Sequence, residues 1–335
     1  MEDIKLEREI TYKGKSMITK HYCEISDDEF YALREAYYQR PNIEDVKKEI
    51  RSISRGGVKT TLLTRYFVKD LMSKTVLWHC KWSLEDVFDC KELLSRYVAQ
   101  TKTNDKVFPP SNPLIKNVET ALRIGGKGCA EKPANFPLKT VDYILEKYNV
   151  NNWWYDFSCG WGSRLIGALK HNVNYWGTDP NYLLCDRLKD LTKLYKSTIP
   201  TSDSSVEITC SGSEKFQENY KNKIGLAFSS PPYFNLEDYK IGEQSWKEGV
   251  SYEEWLTDYM DKTIKNIYQY LIPNGYFLIN INNFKEYDLV SDVKKIAEEN
   301  GFVYKVTETL DNIQRCNMYG EMNDNSEGIM VFTKI

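Results

Sequence analysis

Between residues 153 and 281, short apolar runs alternate with longer stretches of helical periodicity, and this alternation limits the possible folds more than any other feature. Five of the runs are predicted strands: 153–157, 173–177, 206–210, 226–229 and 276–281. Helical stretches lie between them, at 163–170, 182–195, 214–220 and 252–270. Such alternation is typical of parallel strands joined by helical crossovers. The sequence therefore predicts an α/β fold with a mostly parallel sheet.

The C-terminal residues continue this pattern with one further helix and then two strands. A further helix is predicted over 286–300, and Gly301 is placed to end it. The last two strand patterns, 302–310 and 328–333, follow one another with no second helical stretch between them. This arrangement favours an antiparallel pair at one edge of the sheet.

Residues 1–125 show mainly helical periodicity, without alternating strands. The predicted helices are 27–38, 42–53, 60–73 and 83–100. Three prolines then fall within the stretch 108–113, which is typical of a linker or a domain boundary. We therefore predict two domains, a helical module over 1–125 and an α/β domain over 126–335.

The composition excludes several classes of protein. The eight cysteines form no Cys-x-x-Cys pair and only three histidines are present, so neither a zinc site nor a disulfide framework is expected. The first residues include charged side chains and no apolar signal region, and no run of about 18 apolar residues exists. We expect a protein of the cytoplasm with no metal and no membrane span. Because the net charge is −3, any contact with nucleic acid must come from a local basic patch.

One such patch is predicted within residues 47–74, which contain eight lysines and arginines but two acidic residues. Arg51, Arg55 and Lys59 are the candidates for contacts with DNA phosphates. A solvated helix face is the alternative interpretation of the same charges.

The predicted strand that ends at Ser229 is followed by Ser230, Pro231, Pro232 and Tyr233. Neither proline can donate a hydrogen bond to a neighbouring strand, so the strand must stop there. The turn that follows lies at the carboxyl edge of the sheet, where open α/β folds bind ligands. Ser230 and the carbonyl of Pro231 would offer fixed acceptors, and Tyr233 would offer an aromatic face. These groups suit a planar base that is held by its exocyclic amine.

A second loop follows the first predicted strand of the α/β domain and contains Asp156, Ser158, Gly160 and Gly162. Two glycines at this spacing allow a tight turn and a close approach of the backbone to a ligand. The second strand ends at Asp179, 23 residues after Asp156. A carboxylate in that position can accept hydrogen bonds from both hydroxyls of a ribose.

Residues 230–233 resemble the catalytic motif of amino-group DNA methyltransferases, which is Asp, Asn or Ser, then two prolines and an aromatic residue. The tail of this loop, 235–239, is most similar to cytosine-N4 members. Residues 156–164 resemble the first motif of S-adenosylmethionine-dependent methyltransferases, and 132–138 resemble the motif beside the methionine end of the cofactor. The resemblance covers about residues 130–335. It implies a Rossmann-like sheet of seven strands, S-adenosylmethionine as cofactor, Phe136 against that cofactor, and Ser213 at its adenine.

The same resemblance implies methyl transfer to the N4 amine of a cytosine that is flipped out of DNA. Adenine-N6 transfer is the nearest alternative, followed by methylation of RNA or of a protein amide. A degenerate fold that only binds nucleic acid is the non-enzymatic alternative. A bacterial or phage enzyme is expected, with a cognate restriction enzyme as a candidate partner. A carbon-5 methyltransferase would need a Pro-Cys pair in this loop, and the chain contains none.

Overall fold

The computed structural model describes residues 7–124, 128–148, 152–283, 285–309 and 328–335. Its strands are β1 (Arg8–Tyr12), β2 (Lys15–Thr19), β3 (Val76–Leu77), β4 (Trp153–Asp156), β5 (Tyr175–Asp179), β6 (Val206–Cys210), β7 (Ile224–Ser229), β8 (Glu237–Asp238), β9 (Leu271–Ile281), β10 (Phe302–Thr309) and β11 (Gly328–Lys334).

The helices alternate with these strands from β4 onward, whereas most of the preceding elements are helices that follow one another. They are α1 (Asp27–Tyr38), α2 (Ile43–Ser54), α3 (Thr61–Phe67), α4 (Lys69–Met72), α5 (Leu84–Asp89), α6 (Lys91–Thr101), α7 (Leu114–Ile124), α8 (Leu138–Lys147), α9 (Ser163–Lys170), α10 (Tyr182–Thr198), α11 (Tyr252–Trp255), α12 (Lys262–Tyr270) and α13 (Leu289–Glu299). A π-helical stretch, Leu256–Asp261, joins α11 to α12. Only a short 3-10 helix, Glu218–Tyr220, forms where a helix over 214–220 was predicted.

A seven-stranded sheet lies at the centre of one of two compact units. Its strand order is β10-β11-β9-β7-β4-β5-β6. The pairs from β9 through β7, β4 and β5 to β6 are parallel, whereas β11 lies antiparallel between β9 and β10. This confirms the predicted α/β fold with a Rossmann-like sheet and an antiparallel pair at its edge. Residue 310, the predicted end of β10, lies outside the described residues.

The strand order reverses between β4 and β7, since β5 follows β4 on one side and β7 lies on the other. In open parallel sheets, ligands bind in the crevice at the carboxyl ends of the strands at this reversal. The indole of Trp154 on β4 donates a 2.9 Å hydrogen bond to the carbonyl of Phe228 on β7. The loops that follow β4 and β7 therefore leave the sheet side by side, from strands that are tied together.

Residues 42–68 belong to the unit that contains the sheet, together with 135–236 and 242–335. Helix α2 buries Val46, Ile50 and Ile53, which recur at helical spacing along one side. Both α2 and α3 pack against α10, which precedes the edge strand β6 of the sheet. The structure thus differs from the predicted division, in which this segment was part of the N-terminal module. The predicted boundary at 125 lies outside the described residues.

The other unit comprises the described parts of 1–41 and 69–134, with the short segment 237–241. It contains helices, as predicted, but begins with an antiparallel hairpin of β1 and β2 that was not predicted. Lys13 and Gly14 both have positive φ angles, 49° and 72°, which is typical of a two-residue hairpin turn. The predicted helix over 60–73 is broken at Val68, and the one over 83–100 is broken at Cys90. No helix among the described residues is long and apolar enough to cross a membrane.

Candidate active site

The glycine loop, residues 157–162, connects β4 to the start of α9 at Ser163. Gly160 and Gly162 have φ angles of +53° and +86°, a region of backbone conformation that favours glycine. A Cβ atom on Gly162 would lie 2.8 Å from Cδ2 of Leu188 on α10. A side chain at Gly162 is therefore excluded by packing as well as by backbone conformation, and α9 begins tightly against its neighbour.

Asp156 holds the base of the glycine loop through hydrogen bonds to three side chains. Its side chain is completely buried, and it accepts hydrogen bonds from the Arg164 guanidinium (2.9 Å), the Tyr175 hydroxyl (2.7 Å) and the Ser229 hydroxyl (2.7 Å). These donors give Asp156 a structural role at this end of β4, and its predicted contact with a cofactor stays a prediction. Sequence reasoning missed all three partners, although an arginine two residues after Gly162 was a visible signal.

Arg164 also connects the glycine loop with Phe136, the residue predicted to lie against a cofactor. Its guanidinium donates to the carbonyl of Ser158 and lies 5.4 Å from the centre of the Phe136 ring. That ring makes an edge-to-face contact with Phe228 at the end of β7, with ring centres 5.7 Å apart. The structure thus brings Phe136 and Ser158 to the carboxyl ends of β4 and β7, and their predicted contacts with a cofactor stay predictions.

Asp179 ends β5 beside the glycine loop. Burial raises the pKa of its carboxyl group to about 7, and the nearby charge of Asp156 acts in the same direction. Hydrogen bonds from the backbone N–H groups of Asn181 (3.0 Å) and Gly160 partly offset this rise in pKa. The carboxylate therefore lies next to Gly160 and is stabilised by few donors, so further hydroxyl donors would favour its charged form.

Ser213 follows β6, the next strand along this side of the sheet. It is 3% exposed, and its hydroxyl is hydrogen bonded to that of Thr263 on α12 at 2.9 Å. The amide of Asn266, also on α12, donates to the Ser213 carbonyl at 3.0 Å. The side chain of Ser213 thus anchors α12, and its predicted contact with an adenine stays a prediction.

The loop after β7, residues 230–236, contains the predicted catalytic residues and is called the catalytic loop below. Pro231 and Tyr233 are buried, whereas Ser230 and Pro232 are half-buried. The ring of Tyr233 is 8% exposed, and its hydroxyl donates to the backbone carbonyl of Asn280 on β9 at 3.1 Å. Tyr233 is therefore part of a packed wall and offers a base little of its aromatic face, less than the predicted stacking surface.

Phe234 has a φ angle of +53°, an unusual conformation for a bulky residue. Backbone strain of this kind persists only where surrounding contacts hold it, and it is concentrated at functional sites. Four aromatic rings surround the Phe234 ring at centre distances of 5.3–6.2 Å: Trp246, Tyr252, Trp255 and Tyr287. This cluster fixes the catalytic loop immediately after Tyr233.

Cys159 lies in the glycine loop but is not a nucleophile. Its side chain is 1% exposed, and burial raises the pKa of the thiol well above its usual range. A buried thiol without a base to deprotonate it is inert. Among the described residues, no group of three His, Cys, Asp or Glu side chains could hold a metal ion.

The predicted phosphate contacts lie on the unit that contains the sheet. Arg51 is in the last turn of α2, and Arg55 and Lys59 follow in the turn that leads to α3. All three are exposed, and none forms an ion pair with another described residue. By contrast, Lys47 and Lys48 on the same helix are each paired at 2.8 Å with an acidic residue three positions earlier.

No protein-family model matches the sequence, and no curated protein matches it either. Among solved structures, the chain is similar to a TehB-like S-adenosylmethionine-dependent methyltransferase from Corynebacterium glutamicum (14% identity, 58% of this chain and 87% of that chain covered, TM-score 0.41). It is also similar to magnesium protoporphyrin IX methyltransferase from Synechocystis with bound S-adenosylmethionine (11% identity, 59% of this chain and 79% of that chain covered, TM-score 0.39). A third similar structure is the cyclase SpnF (12% identity, 59% of this chain and 80% of that chain covered, TM-score 0.42). Sequence identities and TM-scores as low as these identify no function. The function must be argued from the chain's own residues.

Proposed function

We propose that this protein is an S-adenosylmethionine-dependent methyltransferase that acts on an exocyclic amine of a DNA base, the N4 amine of cytosine. The observation that carries the proposal is the 2.7 Å hydrogen bond from Ser229 to Asp156. It joins the start of the catalytic loop to the base of the glycine loop, at the reversal of strand order where such folds bind ligands. A cofactor against one loop and an amine against the other would be adjacent.

The residues at this edge fit S-adenosylmethionine. Asp179 is a buried carboxylate whose raised pKa would be lowered again by two ribose hydroxyls that donate to it. Gly160 has no side chain, so a ligand can approach its backbone closely. Phe136 would lie beside the methionine end. When bound, S-adenosylmethionine supplies a methyl carbon on a sulfonium, which is a good leaving group and needs no acid.

The chain's own task is then to align the amine and to free its lone pair from conjugation with the ring. Ser230 and the carbonyl of Pro231 would accept the two amine hydrogens and favour the pyramidal nitrogen. No covalent bond to the protein is needed, in agreement with the inert thiol of Cys159. The amine nitrogen gains the methyl carbon as the bond from that carbon to sulfur breaks, the sulfur leaves as a neutral thioether, and the nitrogen loses one proton to water.

The sequence of the catalytic loop supports the choice of DNA as substrate and of cytosine as target base. It resembles that of cytosine-N4 methyltransferases over Ser230–Tyr233 and the tail 235–239. The exposed cations at Arg51, Arg55 and Lys59 would contact phosphates while the target base is flipped out. A cognate restriction enzyme is a partner consistent with this function.

Transfer of a labelled methyl group from S-adenosylmethionine tests the proposal. Purified protein should label DNA in the presence of the cofactor, whereas RNA and protein fractions should stay unlabelled. If the label appeared only in RNA or in protein, the choice of DNA as substrate would be refuted, but the proposed methyl transfer would not. Failure to bind the cofactor in calorimetry would refute the proposed function altogether.

The pKa of Asp179 predicts how cofactor affinity depends on pH. Because the ribose hydroxyls favour the ionised carboxylate and its pKa in the free protein is about 7, affinity should be constant above about pH 8. Below pH 7 the carboxyl group is mostly protonated, and the dissociation constant should rise by up to about tenfold per pH unit.

Calorimetric titrations from pH 6 to pH 8 measure this effect, with Asp179→Asn as the control. The variant should bind more weakly at pH 8, by about 1–3 kcal/mol for hydrogen bonds lost to a charged acceptor. It should also lack the pH dependence. A flat profile for the unaltered protein would assign the ribose contact to another residue.

Neutralising the three exposed cations tests the DNA contact. Replacing Arg51, Arg55 and Lys59 with glutamine should weaken DNA binding and reduce the slope of log affinity against log salt by up to about 2.7, since each phosphate contributes about 0.9. Cofactor affinity should not change. The matched control is Lys47→Gln with Lys48→Gln, because those lysines are already paired. An unchanged slope in the triple variant would place DNA binding elsewhere.

A further inference from the structure

Asn280 is a polar residue inside the apolar strand β9, between Ile279 and Ile281. It is 2% exposed. Burying an amide in such surroundings destabilises a protein unless its donors and acceptor are hydrogen bonded. A leucine in this position would suit the core better, so the presence of asparagine calls for an explanation in the contacts that it makes.

The amide of Asn280 contacts the catalytic loop at two points. Its Nδ2 atom donates to the Ser230 hydroxyl at 3.3 Å and to the Tyr233 hydroxyl at 3.2 Å. The Tyr233 hydroxyl in turn donates to the backbone carbonyl of Asn280 at 3.1 Å. One residue of the sheet thus contacts both the Ser230 side chain, which the proposed function places against the target amine, and the Tyr233 side chain, which forms the wall of the same loop.

The other end of the amide differs. Oδ1 of Asn280 is buried, and none of the residues that the structure describes donates a hydrogen bond to it. Exchanging the positions of Oδ1 and Nδ2, which the shape of the side chain permits, would leave Nδ2 unpartnered instead. In either orientation one polar atom of the amide has no partner among the described residues, so the contacts with Ser230 and Tyr233 are the ones that account for asparagine here.

The contacts also determine what Ser230 can offer a substrate. A hydroxyl has one hydrogen and two lone pairs. One lone pair of the Ser230 Oγ atom accepts from Asn280, and no other described residue bonds to that atom. One lone pair and the hydroxyl hydrogen therefore remain for the target. Cytosine and adenine both present an amine hydrogen beside an unprotonated ring nitrogen, which matches this pair of groups.

We infer that Asn280 is a positioning residue for methyl transfer: it orients the Ser230 hydroxyl toward the target amine and fixes Tyr233 beside it. The inference rests on the proposed function. Asn280 acts through Ser230, so its removal should lower kcat but leave the dissociation constant of S-adenosylmethionine unchanged. It should also have little further effect once the Ser230 hydroxyl is gone.

A double-mutant cycle with Asn280→Ala and Ser230→Ala tests this dependence. We expect Asn280→Ala alone to lower kcat by about tenfold or more, on the scale of one lost preorganised contact. In the Ser230→Ala background the same substitution should lower kcat by less than about threefold, because interacting residues are not additive. Cofactor titration of each variant reports that the site is folded. Asn280→Ser, which opens a smaller cavity, replaces the alanine variant in the cycle if the latter does not fold.

Asn117→Ala is the matched control, because Asn117 is also buried and its amide bonds to the carbonyl of Pro109 at 3.1 Å, in the other unit. That variant should lower the melting temperature without lowering kcat. Equal losses from Asn280→Ala in both backgrounds would overturn the positioning role while the proposed function stands. If the unaltered protein transfers no methyl group to a nucleic-acid base, the proposed function fails and the inference fails with it.

Discussion

Ser230→Ala is expected to lower kcat by about a hundredfold or more, the usual scale for removing one preorganised polar group from a transition state. The substitution removes an acceptor for the target amine. It leaves Pro231 and the glycine loop in place, so the dissociation constant of S-adenosylmethionine should barely change. Single-turnover methyl transfer and calorimetric titration measure the two quantities separately.

The neighbouring serine supplies the control for this prediction. Ser229 donates to Asp156, whereas Ser230 is bonded to Asn280, so the two side chains serve different loops. Ser229→Ala should lower the melting temperature and weaken cofactor binding through the glycine loop. Loss of turnover in Ser229→Ala with normal turnover in Ser230→Ala would reverse the two assignments and contradict the proposed catalytic loop.

Gly160→Asp is expected to weaken binding of S-adenosylmethionine severely. Its φ angle of +53° is one that aspartate tolerates, so the variant should fold. The new carboxylate would occupy the space that the glycine leaves for the cofactor and would add a negative charge beside Asp179. Calorimetry at pH 8 should show a dissociation constant raised by about a hundredfold or more, a change of about 2.7 kcal/mol.

Gly160→Ala is the control for Gly160→Asp. It places a side chain on the same backbone conformation but lacks the charge and the size of aspartate. Its Cβ atom would lie 3.3 Å from the Arg164 guanidinium, whose position can adjust. Cofactor affinity should fall much less than in the aspartate variant, and thermal unfolding should show both variants folded. Unchanged affinity in Gly160→Asp would remove the glycine loop from the proposed cofactor site.

Much of the sheet could be predicted from the sequence, because inner strands such as β4 and β7 are almost wholly buried and are therefore nearly continuous apolar runs. β6 was predicted with its observed bounds, and α9 likewise. The alternation with helices then implies parallel pairing. The N-terminal hairpin of β1 and β2 was missed because it is short and largely exposed, so only its Lys13-Gly14 turn signalled it.

The position of residues 42–68 could not be predicted, since an apolar stripe on a helix does not specify which partner covers it. The buried residues Val46, Ile50 and Ile53 of α2 would suit a separate helical bundle as well as the observed unit, in which α2 packs against α10. The break of the predicted helix at Val68 could not be predicted for the same reason. The pattern of 60–73 is helical throughout, but the division between the two units lies inside it.

Within the candidate site, motifs identified the loops but not the contacts that hold them. Asp156 was recognised by its place before the glycines, yet its role depends on Arg164, Tyr175 and Ser229, which converge on it only in three dimensions. Asn280 had a visible signal, a polar residue between isoleucines. That signal became informative only when the structure placed it against Ser230 and Tyr233.

Identifying the base that carries the transferred methyl group is the most direct test of the central claim. DNA from a host that expresses the protein can be digested to nucleosides and analysed by mass spectrometry, with DNA from a host that expresses Ser230→Ala as the control. We predict N4-methylcytosine in the first sample and its loss from the second. N6-methyladenine instead would retain amine methylation and correct the choice of base, whereas unmodified DNA with methylated RNA or protein would contradict the account.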